Sequence, residues 1–373
     1  MERQLERRRE PEPIVYDRYL EEHWQKRDSE KKYFAKLPRV LKYDETPWTQ
    51  GAMAYHKVYS RLNLEPAENL SPLHSMAVLE QVMFPGKKSG RHRHYMEAIF
   101  YILEGEGYEV HDGIRYDWEP GDIMCVPTYC DHQHFNIYSE VGARLFYSIP
   151  KVFWLLGLYS IEQIELHQDY NIPENAQRIY GPNKKLAGYK TPEGLEFSYG
   201  VDEELSRVME EQKAALGLEE DPRDTYEEHM KLTFDQTAWR RQCPHVVKAG
   251  DLPWEDTRMG RIKYLVHPKV PSGLLLYEAF VQEIPPGGRT GKHRHVSEEV
   301  HKILGGKGYD IQDGVRWDWE EEDVVCVPVN TAHQHFNADP DKPALFLSYQ
   351  SRLYHFLGHG GYEHMEDAPE YKK

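Results

Sequence analysis

The segments GKKSGRHRH at residues 86–94 and PTYCDHQHFN at residues 127–136 recur as GGRTGKHRH at residues 287–295 and PVNTAHQHFN at residues 328–337. Each residue of the second copy lies 201 positions after its partner, and neither copy has an insertion or deletion relative to the other. One module has therefore been duplicated with its spacing intact, and each copy carries its own group of histidines.

The spacing of these histidines indicates a metal site in each copy. Side chains at positions i and i+2 of a strand point to the same face, so His92 and His94 can reach one ion together, and His132 on a later strand would complete the face. Neutral imidazoles without thiolates suit Fe(II), Mn(II), Ni(II) or Cu(II), and the histidine pattern alone does not rank these metals. The second copy offers the same set in His293, His295 and His333.

The residues around the histidines favour strands. Short runs rich in Val, Ile, Leu, Tyr and Phe alternate with turn signals such as Pro85-Gly86, Asp112-Gly113 and Asp313-Gly314, and the two Asp-Gly pairs suit tight hairpins. Short strands separated in this way predict a small antiparallel β-barrel or sandwich in each copy, and a mainly β protein.

The repeat divides the chain into five predicted parts. Helix-forming residues between Glu203 and Leu218, followed by Pro222, predict a helix in the segment between the copies. We predict a helical N-terminal arm at residues 1–41, a first barrel domain at 42–160, a largely helical connector at 161–247, a second barrel domain at 248–357 and a tail at 358–373.

The composition argues against several classes of function. With 62 acidic against 46 basic residues, the formal charge of −16 disfavours nucleic acid or an anionic membrane as the main partner. The chain has no run that approaches the roughly 20 apolar residues needed to cross a bilayer. Four cysteines without a pairing pattern indicate reduced thiols. We therefore expect a cytoplasmic protein with a small-molecule ligand.

The first motif of each copy resembles the cupin superfamily, whose members fold as conical β-barrels of the jelly-roll or double-stranded β-helix type around one metal ion. In that family a glutamate follows the two histidines as a further ligand, and Glu299 occupies this position in the second copy. The first copy has Ala98 there, and Glu97, one residue earlier on the strand, is expected to point to the opposite face. The motif residues are Gly287, His293, His295, Glu299 and Gly306, and Gly86, His92, His94 and Gly105.

The second cupin motif is also present in both copies. Glu322 stands where the first copy has the opening glycine of this motif, so we expect that turn to differ in shape between the copies. The motif residues are Gly121, Pro127, His132 and Asn136 in the first copy, and Pro328, His333 and Asn337 in the second.

Among two-barrel cupins, the His-x-His-x-Asn ending resembles gentisate 1,2-dioxygenase and its hydroxynaphthoate relatives, which cleave aromatic rings with Fe(II) held by three histidines. The resemblance implies an acid/base role for His134 and a catalytic contact for Gln81, with His335 and Gln282 as their counterparts in the second copy. These enzymes hold the substrate carboxylate with an arginine, where this chain has Phe100 and His301. The resemblance therefore implies related chemistry on a different substrate.

We therefore expect a homo-oligomeric bicupin that uses Fe(II) and O2 to cleave a carbon–carbon bond of a hydroxylated aromatic compound in its first barrel. Three neutral ligands leave the ion more positive than a set with a carboxylate, which favours an anionic chelating substrate such as a catecholate or an aminophenolate. One alternative is an Mn-dependent decarboxylase of the oxalate type, or an isomerase, acting at Glu299 in the second barrel. Another is a bicupin that binds a small molecule without catalysis.

Overall fold

The structure is a computed structural model of the 373-residue chain. It describes residues 14–62, 70–137, 140–156, 158, 161–170, 172, 174–180, 186–192, 194, 196–198, 211, 224–270, 272–358 and 361–372. Its helices are Ile14–Phe34, Val152–Leu155, Thr225–Gln242 and Leu353–Phe356, with a 3-10 turn at Ala249–Asp251. Within these ranges, no helix combines the length and the apolar character that a membrane span requires.

Most of the described chain is β-strand. Strands β1 to β12 are Val40–Leu41, Trp48–Gln50, Tyr55–Ser60, Met76–Met83, Arg91–His94, Ala98–Glu104, Gly107–His111, Ile114–Trp118, Ile123–Val126, His132–Asn136, Ala143–Pro150 and Ile161–Glu165. Strands β13 to β27 are Gln177–Tyr180, Leu186–Lys190, Glu196–Ser198, Val246–Val247, Glu255–Thr257, Gly260–Val266, Tyr277–Ile284, Lys292–His295, Glu299–Gly305, Lys307–Gln312, Val315–Glu320, Val324–Val327, His333–Asn337, Ala344–Ser351 and Tyr362–Glu366.

Each copy of the repeat forms one barrel from two antiparallel sheets. The first barrel has a seven-stranded sheet in the order β16-β9-β6-β11-β4-β3-β2 and a five-stranded sheet in the order β12-β5-β10-β7-β8. The second barrel repeats this arrangement as β1-β24-β21-β26-β19-β18-β17 and β23-β22-β25-β20-β27. The prediction of a mainly β protein with one antiparallel barrel in each copy is confirmed.

The two barrels exchange edge strands. Strand β1, which precedes the first barrel, pairs with β24 of the second, and β16, which precedes the second barrel, pairs with β9 of the first. The backbone carbonyl of His245 accepts from the N–H of Cys125 at 2.7 Å, and that of Arg39 accepts from the N–H of Cys326 at 2.7 Å. His245 and Arg39 therefore occupy equivalent places beside the two barrels.

The seven-stranded sheets pack against each other through a shared core. The rings of Phe146 and Tyr349 stack with centroids 5.6 Å apart, and the Tyr349 hydroxyl donates to the backbone carbonyl of Phe146 at 2.9 Å. Ser148 Oγ and Tyr277 Oη, one from each barrel, lie 2.9 Å apart. Burial of these large side chains on both sides couples the folding of the two halves.

A buried charge cluster also crosses the interface. Lys302 Nζ lies 3.1 Å from Glu80 Oε2 and 2.7 Å from Glu322 Oε2, and Arg144 Nη2 lies 2.8 Å from Glu80 Oε1. Glu322 adopts φ of +74°, close to the +95° of Gly121. The expectation that this turn differs in shape is therefore wrong. The Glu322 side chain forms ion pairs with Arg144 and Lys302. Its backbone adopts a conformation that glycine adopts more easily.

Glu97 lies directly before β6 and points away from the metal site, as expected, and it links one barrel to the other. Its carboxylate accepts from the N–H groups of Leu275 and Leu276 and pairs with Arg240 of the connector helix Thr225–Gln242. The second barrel makes the equivalent contact with the first, because Glu298 accepts from the N–H groups of His74 and Ser75.

Both predicted Asp-Gly hairpin turns are formed. Asp112-Gly113 and Asp313-Gly314 both have positive φ at their two residues, as a tight type I′ hairpin requires. The described part of the connector contains strands β12 to β15 as well as the helix Thr225–Gln242. The predicted helix from Glu203 to Leu218 lies outside the described residues, except for Glu211. Strands β12 and β27 extend the barrel sheets past the predicted boundaries at residues 160 and 357.

Candidate metal centres

The first barrel brings His92, His94 and His132 together. His92 and His94 lie on β5, and His132 lies directly opposite His92 on the neighbouring strand β10. The ring centroids are 4.2 Å apart for His92 and His132, 4.9 Å for His94 and His132, and 5.4 Å for His92 and His94. One potential ligand atom of each residue lies within 4.8 Å of the others. We call this group centre one.

Backbone carbonyls fix the orientation of the three rings. The Nδ1 atoms donate to the carbonyls of Gly90, Met96 and Cys130 at 3.2, 2.6 and 2.9 Å. A neutral imidazole that donates from Nδ1 has its lone pair on Nε2. His132 Nε2 is buried and has no hydrogen-bond partner among the residues that the structure describes. The donor set therefore fits a divalent cation that takes nitrogen ligands.

Burial keeps these histidines neutral. Burial lowers the pKa of His94 to about 4. Burial, and then the neighbouring imidazoles, hold the pKa values of His92 and His132 well below the usual range. Metal binding needs the deprotonated ring, so at neutral pH no proton has to be displaced.

The second barrel adds a carboxylate to the equivalent group, which we call centre two. Glu299 Oε2 lies 3.1 Å from His295 Nε2 and 3.6 Å from His333 Nε2. Although burial opposes it, the neighbouring His301 and His295 hold the pKa of Glu299 well below its usual range. His293 completes the group, and the potential ligand atoms of all four residues lie within 4.8 Å of one another.

The residues that line the pocket beside each centre differ between the two barrels, as the ligands do. Ser348 Oγ donates to Glu299 Oε1 in the second barrel, and the matching pair in the first barrel is Tyr147 and Ala98. The Tyr147 ring stacks on Phe100 with centroids 4.7 Å apart. An aromatic wall therefore stands in the first barrel where the second has a hydrogen-bonded carboxylate.

His134 lies behind centre one next to a carboxyl group that the motif reasoning missed. Its ring centroid is 4.8 Å from that of Phe100 and 5.6 Å from that of His132, and its Nδ1 is 3.5 Å from Glu109 Oε2. Burial raises the pKa of Glu109 to about 7, and burial lowers the pKa of His134. Glu109 was visible in the sequence as an inward position of β7, matched by the acidic Asp310 in the second copy.

In the second barrel, the residues equivalent to His134 and Glu109 are hydrogen-bonded to each other. His335 Nδ1 donates to Asp310 Oδ1 at 2.8 Å, and Trp319 Nε1 donates to the same oxygen at 2.9 Å. Burial opposes a rise in the pKa of His335, but Asp310 raises it overall. The counterpart Trp118 Nε1 has no hydrogen-bond partner within the described ranges.

Gln81 shows a similar difference. It is buried on β4, opposite His56 of β3, and its Nε2 has no partner among the described residues. Its counterpart Gln282 donates to the carbonyl of Met259 at 2.6 Å. His56 Nδ1 lies 3.1 Å from the Tyr147 hydroxyl, and its own Nε2 is unpartnered in the described structure. Sequence reasoning missed His56, because it precedes the repeated motifs.

The family described as "Cupin domain" matches residues 79–149 and 280–349, one match in each barrel. The chain is 29% identical to 5-aminosalicylate 1,2-dioxygenase of Comamonas sp. over 117 residues, which are 31% of this chain and 29% of that protein. It is 21% identical to gentisate 1,2 dioxygenase 1 of Aquipseudomonas alcaligenes over 278 residues, which are 73% of this chain and 69% of that protein.

Two solved structures share the fold. Salicylate 1,2-dioxygenase from Pseudaminobacter salicylatoxidans gives a TM-score of 0.51 at 13% identity, covering 83% of this chain and 80% of that one. Oxalate decarboxylase from Bacillus subtilis gives a TM-score of 0.54 at 12% identity, covering 88% and 78%. At these identities the likeness concerns the fold alone.

Proposed function

The chain is a bicupin with one cupin domain in each barrel, and from that premise we propose that it is an Fe(II)-dependent dioxygenase that cleaves the ring of a hydroxylated aromatic compound at centre one. The observation that carries the proposal is the three-histidine set of His92, His94 and His132 beside an aromatic wall. The similarity to dioxygenases of aminosalicylate and gentisate supports the same class of reaction.

Centre one offers three neutral nitrogen ligands and no carboxylate. Ala98 contributes only a methyl group where Glu299 stands in the second barrel. Iron(II) held by this set would act as a Lewis acid and as the redox partner of O2. Without an anionic protein ligand, the site favours a substrate that brings its own negative charge, such as a catecholate or an aminophenolate.

The side chains around the centre would orient a flat ring and move its proton. Phe100 and Tyr147 form a stacked pair that offers an apolar face. The amide of Gln81 has an unused donor among the described residues, which can bind a ring substituent. His134 is neutral and lies beside Glu109, so it can accept the proton of a substrate hydroxyl while the carboxyl group supports the ring from behind.

The absence of an arginine at position 100 narrows the range of expected substrates. Phe100 occupies the position where the resemblance places a guanidinium for the substrate carboxylate, and its ring contacts His134 instead. A ring carboxylate would lose its bidentate partner there. We propose catechols and aminophenols ahead of salicylates as substrates. The cytoplasmic location and the homo-oligomer stay predictions of the sequence.

One observation favours a second candidate. Centre two has Glu299 beside three histidines, which is the donor set expected for an Mn(II)-dependent decarboxylase of the oxalate type. His301 and His335, with ring centroids 4.6 Å apart, make this pocket more polar than that of the first barrel. In this case the second barrel would be the catalytic one.

Oxygen consumption separates the two candidates. The iron-loaded protein is supplied with catechols, aminophenols and hydroxylated ring acids in an oxygen-electrode cell, and the manganese-loaded protein is supplied with oxalate in a parallel assay. Oxygen uptake that is matched by loss of the aromatic absorption supports the dioxygenase. Release of CO2 from oxalate by the manganese-loaded protein, without uptake on any aromatic compound, would contradict it.

A further inference from the structure

A third group of potential metal ligands lies outside both centres. It consists of His111 at the end of β7, Cys130 in the loop before β10, and His245 just before β16. The three residues are 1%, 2% and 3% exposed. One potential ligand atom of each lies within 4.8 Å of the other two. The group joins the connector to the first barrel.

We propose that His111, Cys130 and His245 form a third metal site, which takes Zn(II) and fastens the end of the connector to the first barrel. Zinc binds cysteine sulfur and histidine nitrogen with similar ease and accepts the four-coordinate geometry that three protein ligands and a water would give. The thiolate separates this site from centres one and two, whose candidate ligands are nitrogen and oxygen atoms.

The two imidazoles face each other in a way that suits an ion between them. His111 Nδ1 and His245 Nδ1 are 2.6 Å apart. Ligands at about 2.0–2.1 Å from a tetrahedral zinc stand roughly 3.3 Å apart, so the rings need to separate by less than an ångström to admit the ion. In the described structure His245 Nε2 is buried without a hydrogen-bond partner, so Nδ1 carries the polar contact of this ring.

The surroundings orient both rings. His111 Nε2 lies 2.8 Å from Glu109 Oε2, so a small ring rotation gives the carboxylate contact that metal-bound histidines commonly make through their second nitrogen. The Tyr116 ring stacks on His245 with centroids 4.8 Å apart and an angle of 19° between the planes. These contacts direct one nitrogen of each histidine toward the other and toward Cys130.

The second barrel lacks this donor set at the same place. The repeat puts Gln312 where His111 stands and Thr331 where Cys130 stands, and the exchanged strand puts Arg39 where His245 stands. Gln312 Nε2 donates to Asp310 Oδ2 at 3.2 Å and to the carbonyl of Cys326 at 3.1 Å. Hydrogen bonds therefore occupy the amide nitrogen of Gln312, and the His-Cys-His donor set is specific to the first barrel.

The third site would also support centre one. The backbone carbonyl of Cys130 accepts from His132 Nδ1 at 2.9 Å, so an ion bound to the Cys130 thiolate restrains the loop that orients a ligand of centre one. Its role is therefore structural, and its loss should loosen the connector before it affects the reaction.

Cobalt tests the third site directly, because Co(II) bound to a thiolate gives an intense near-ultraviolet charge-transfer absorption that nitrogen and oxygen ligands do not give. Co(II) is titrated into metal-free, full-length protein. The proposal predicts a band corresponding to one thiolate per chain. Wild-type protein that takes up cobalt without this band would overturn the proposal and leave the two histidines as a hydrogen-bonded pair.

Variants assign the band to its ligands. Cys130→Ser should abolish it, whereas Cys326→Ser, which changes another buried cysteine, should keep it. His245→Gln should weaken cobalt binding at the thiolate site by at least about 100-fold while centres one and two still fill. Circular dichroism checks that each variant is folded. A band that survives Cys130→Ser in folded protein would contradict the assignment.

Discussion

The two barrels share one framework and differ in a few inward-facing side chains that change as a set. In the second barrel Ser348 holds Glu299 against the histidines, whereas in the first barrel Tyr147 fills the place of the serine and Ala98 that of the carboxylate. Tyr147 in turn stacks on Phe100, where the second barrel has His301. The ligand set and the pocket wall therefore differ together between the two barrels.

Hydrogen bonding shows the same division. Gln282, Trp319 and His335 all have partners in the second barrel. Within the described residues, Gln81 Nε2 and Trp118 Nε1 of the first barrel have none. Buried polar groups without partners are uncommon and often mark places where a ligand or water binds. At these positions the first barrel therefore leaves the Gln81 and Trp118 donors available to a substrate or water, whereas the equivalent donors of the second barrel are hydrogen-bonded within the protein.

Loss of one histidine ligand of centre one should reduce oxygen uptake more than any other change. His132→Ala removes a nitrogen ligand from centre one, and we expect aromatic oxygen uptake to fall by at least about 1000-fold, because bound metal contributes several kcal/mol to the reaction and each 1.36 kcal/mol is tenfold. His333→Ala should only weaken activity through reduced stability. Initial rates of oxygen uptake measure both, and equal losses would remove the claim that the first barrel is the main site.

The next effect concerns the proton acceptor. His134→Asn keeps a polar side chain near Glu109 but removes the imidazole, and we expect kcat to fall about 100- to 1000-fold, the usual contribution of a positioned acid or base. Metal content should stay at the wild-type level. His335→Asn in the second barrel is the matched control and should leave kcat unchanged. A normal rate in the His134 variant would assign proton transfer to another group.

Grafting the second barrel's pair into the first tests the coupling of ligand and wall. The double variant Ala98→Glu/Tyr147→Ser places a carboxylate and its hydroxyl partner beside His94 and His132. We expect metal to remain bound and oxygen uptake to fall about 100-fold, since an anionic ligand lowers the positive charge that holds an anionic substrate. The reverse variant Glu299→Ala should leave oxygen uptake unchanged. Undiminished activity in the graft would show that the difference between the centres has no catalytic meaning.

A smaller effect, on stability, is expected at Lys151, which directly follows β11. Lys151 is fully buried, its Nζ donates to the carbonyl of Leu73 at 2.9 Å, and burial lowers its pKa from 10.5 to about 8. Between these values the unfolded chain binds more protons than the folded one, so the stability contributed by this residue rises with pH. Relative to Lys151→Met, wild-type protein should gain about 2 kcal/mol in unfolding free energy between pH 8 and pH 10.

Denaturant unfolding at several pH values measures this gain. Lys151 has Arg352 as its counterpart, which directly follows β26 of the second barrel. An arginine keeps its charge over this pH range, so the difference between wild type and Arg352→Met should not change with pH. A constant difference for Lys151→Met as well would show that the lysine stays charged in the folded protein.

Much of the framework could be predicted from the sequence because it depends on local spacing. The alternation of strand side chains placed His92 and His94 on one face before any long-range contact was known. The Asp112-Gly113 turn could be predicted because few residues adopt its backbone angles. These features depend on neighbours in the chain, and the structure agrees with them.

Features that depend on distant pairs could not be predicted. The exchange of β1 and β16 joins residues from different halves of the chain, and the repeat carries no signal for it. His245 lies in the connector, so its contact with His111 appears only in the folded chain. Glu109 was the exception, because its acidic counterpart in the second copy could have indicated it. The turn at Glu322 was wrongly predicted, because this residue adopts the positive φ that Gly121 has at the equivalent position.

The central claim is that centre one is the iron site, and the most direct test is the metal content of protein purified without oxygen. Wild type is compared with His94→Ala and His295→Ala, single changes at equivalent positions of β5 and β20. The account predicts iron bound to the wild type, lost in the His94 variant and kept in the His295 variant. Manganese in place of iron, or metal lost only in the His295 variant, would contradict it and move the active site to Glu299.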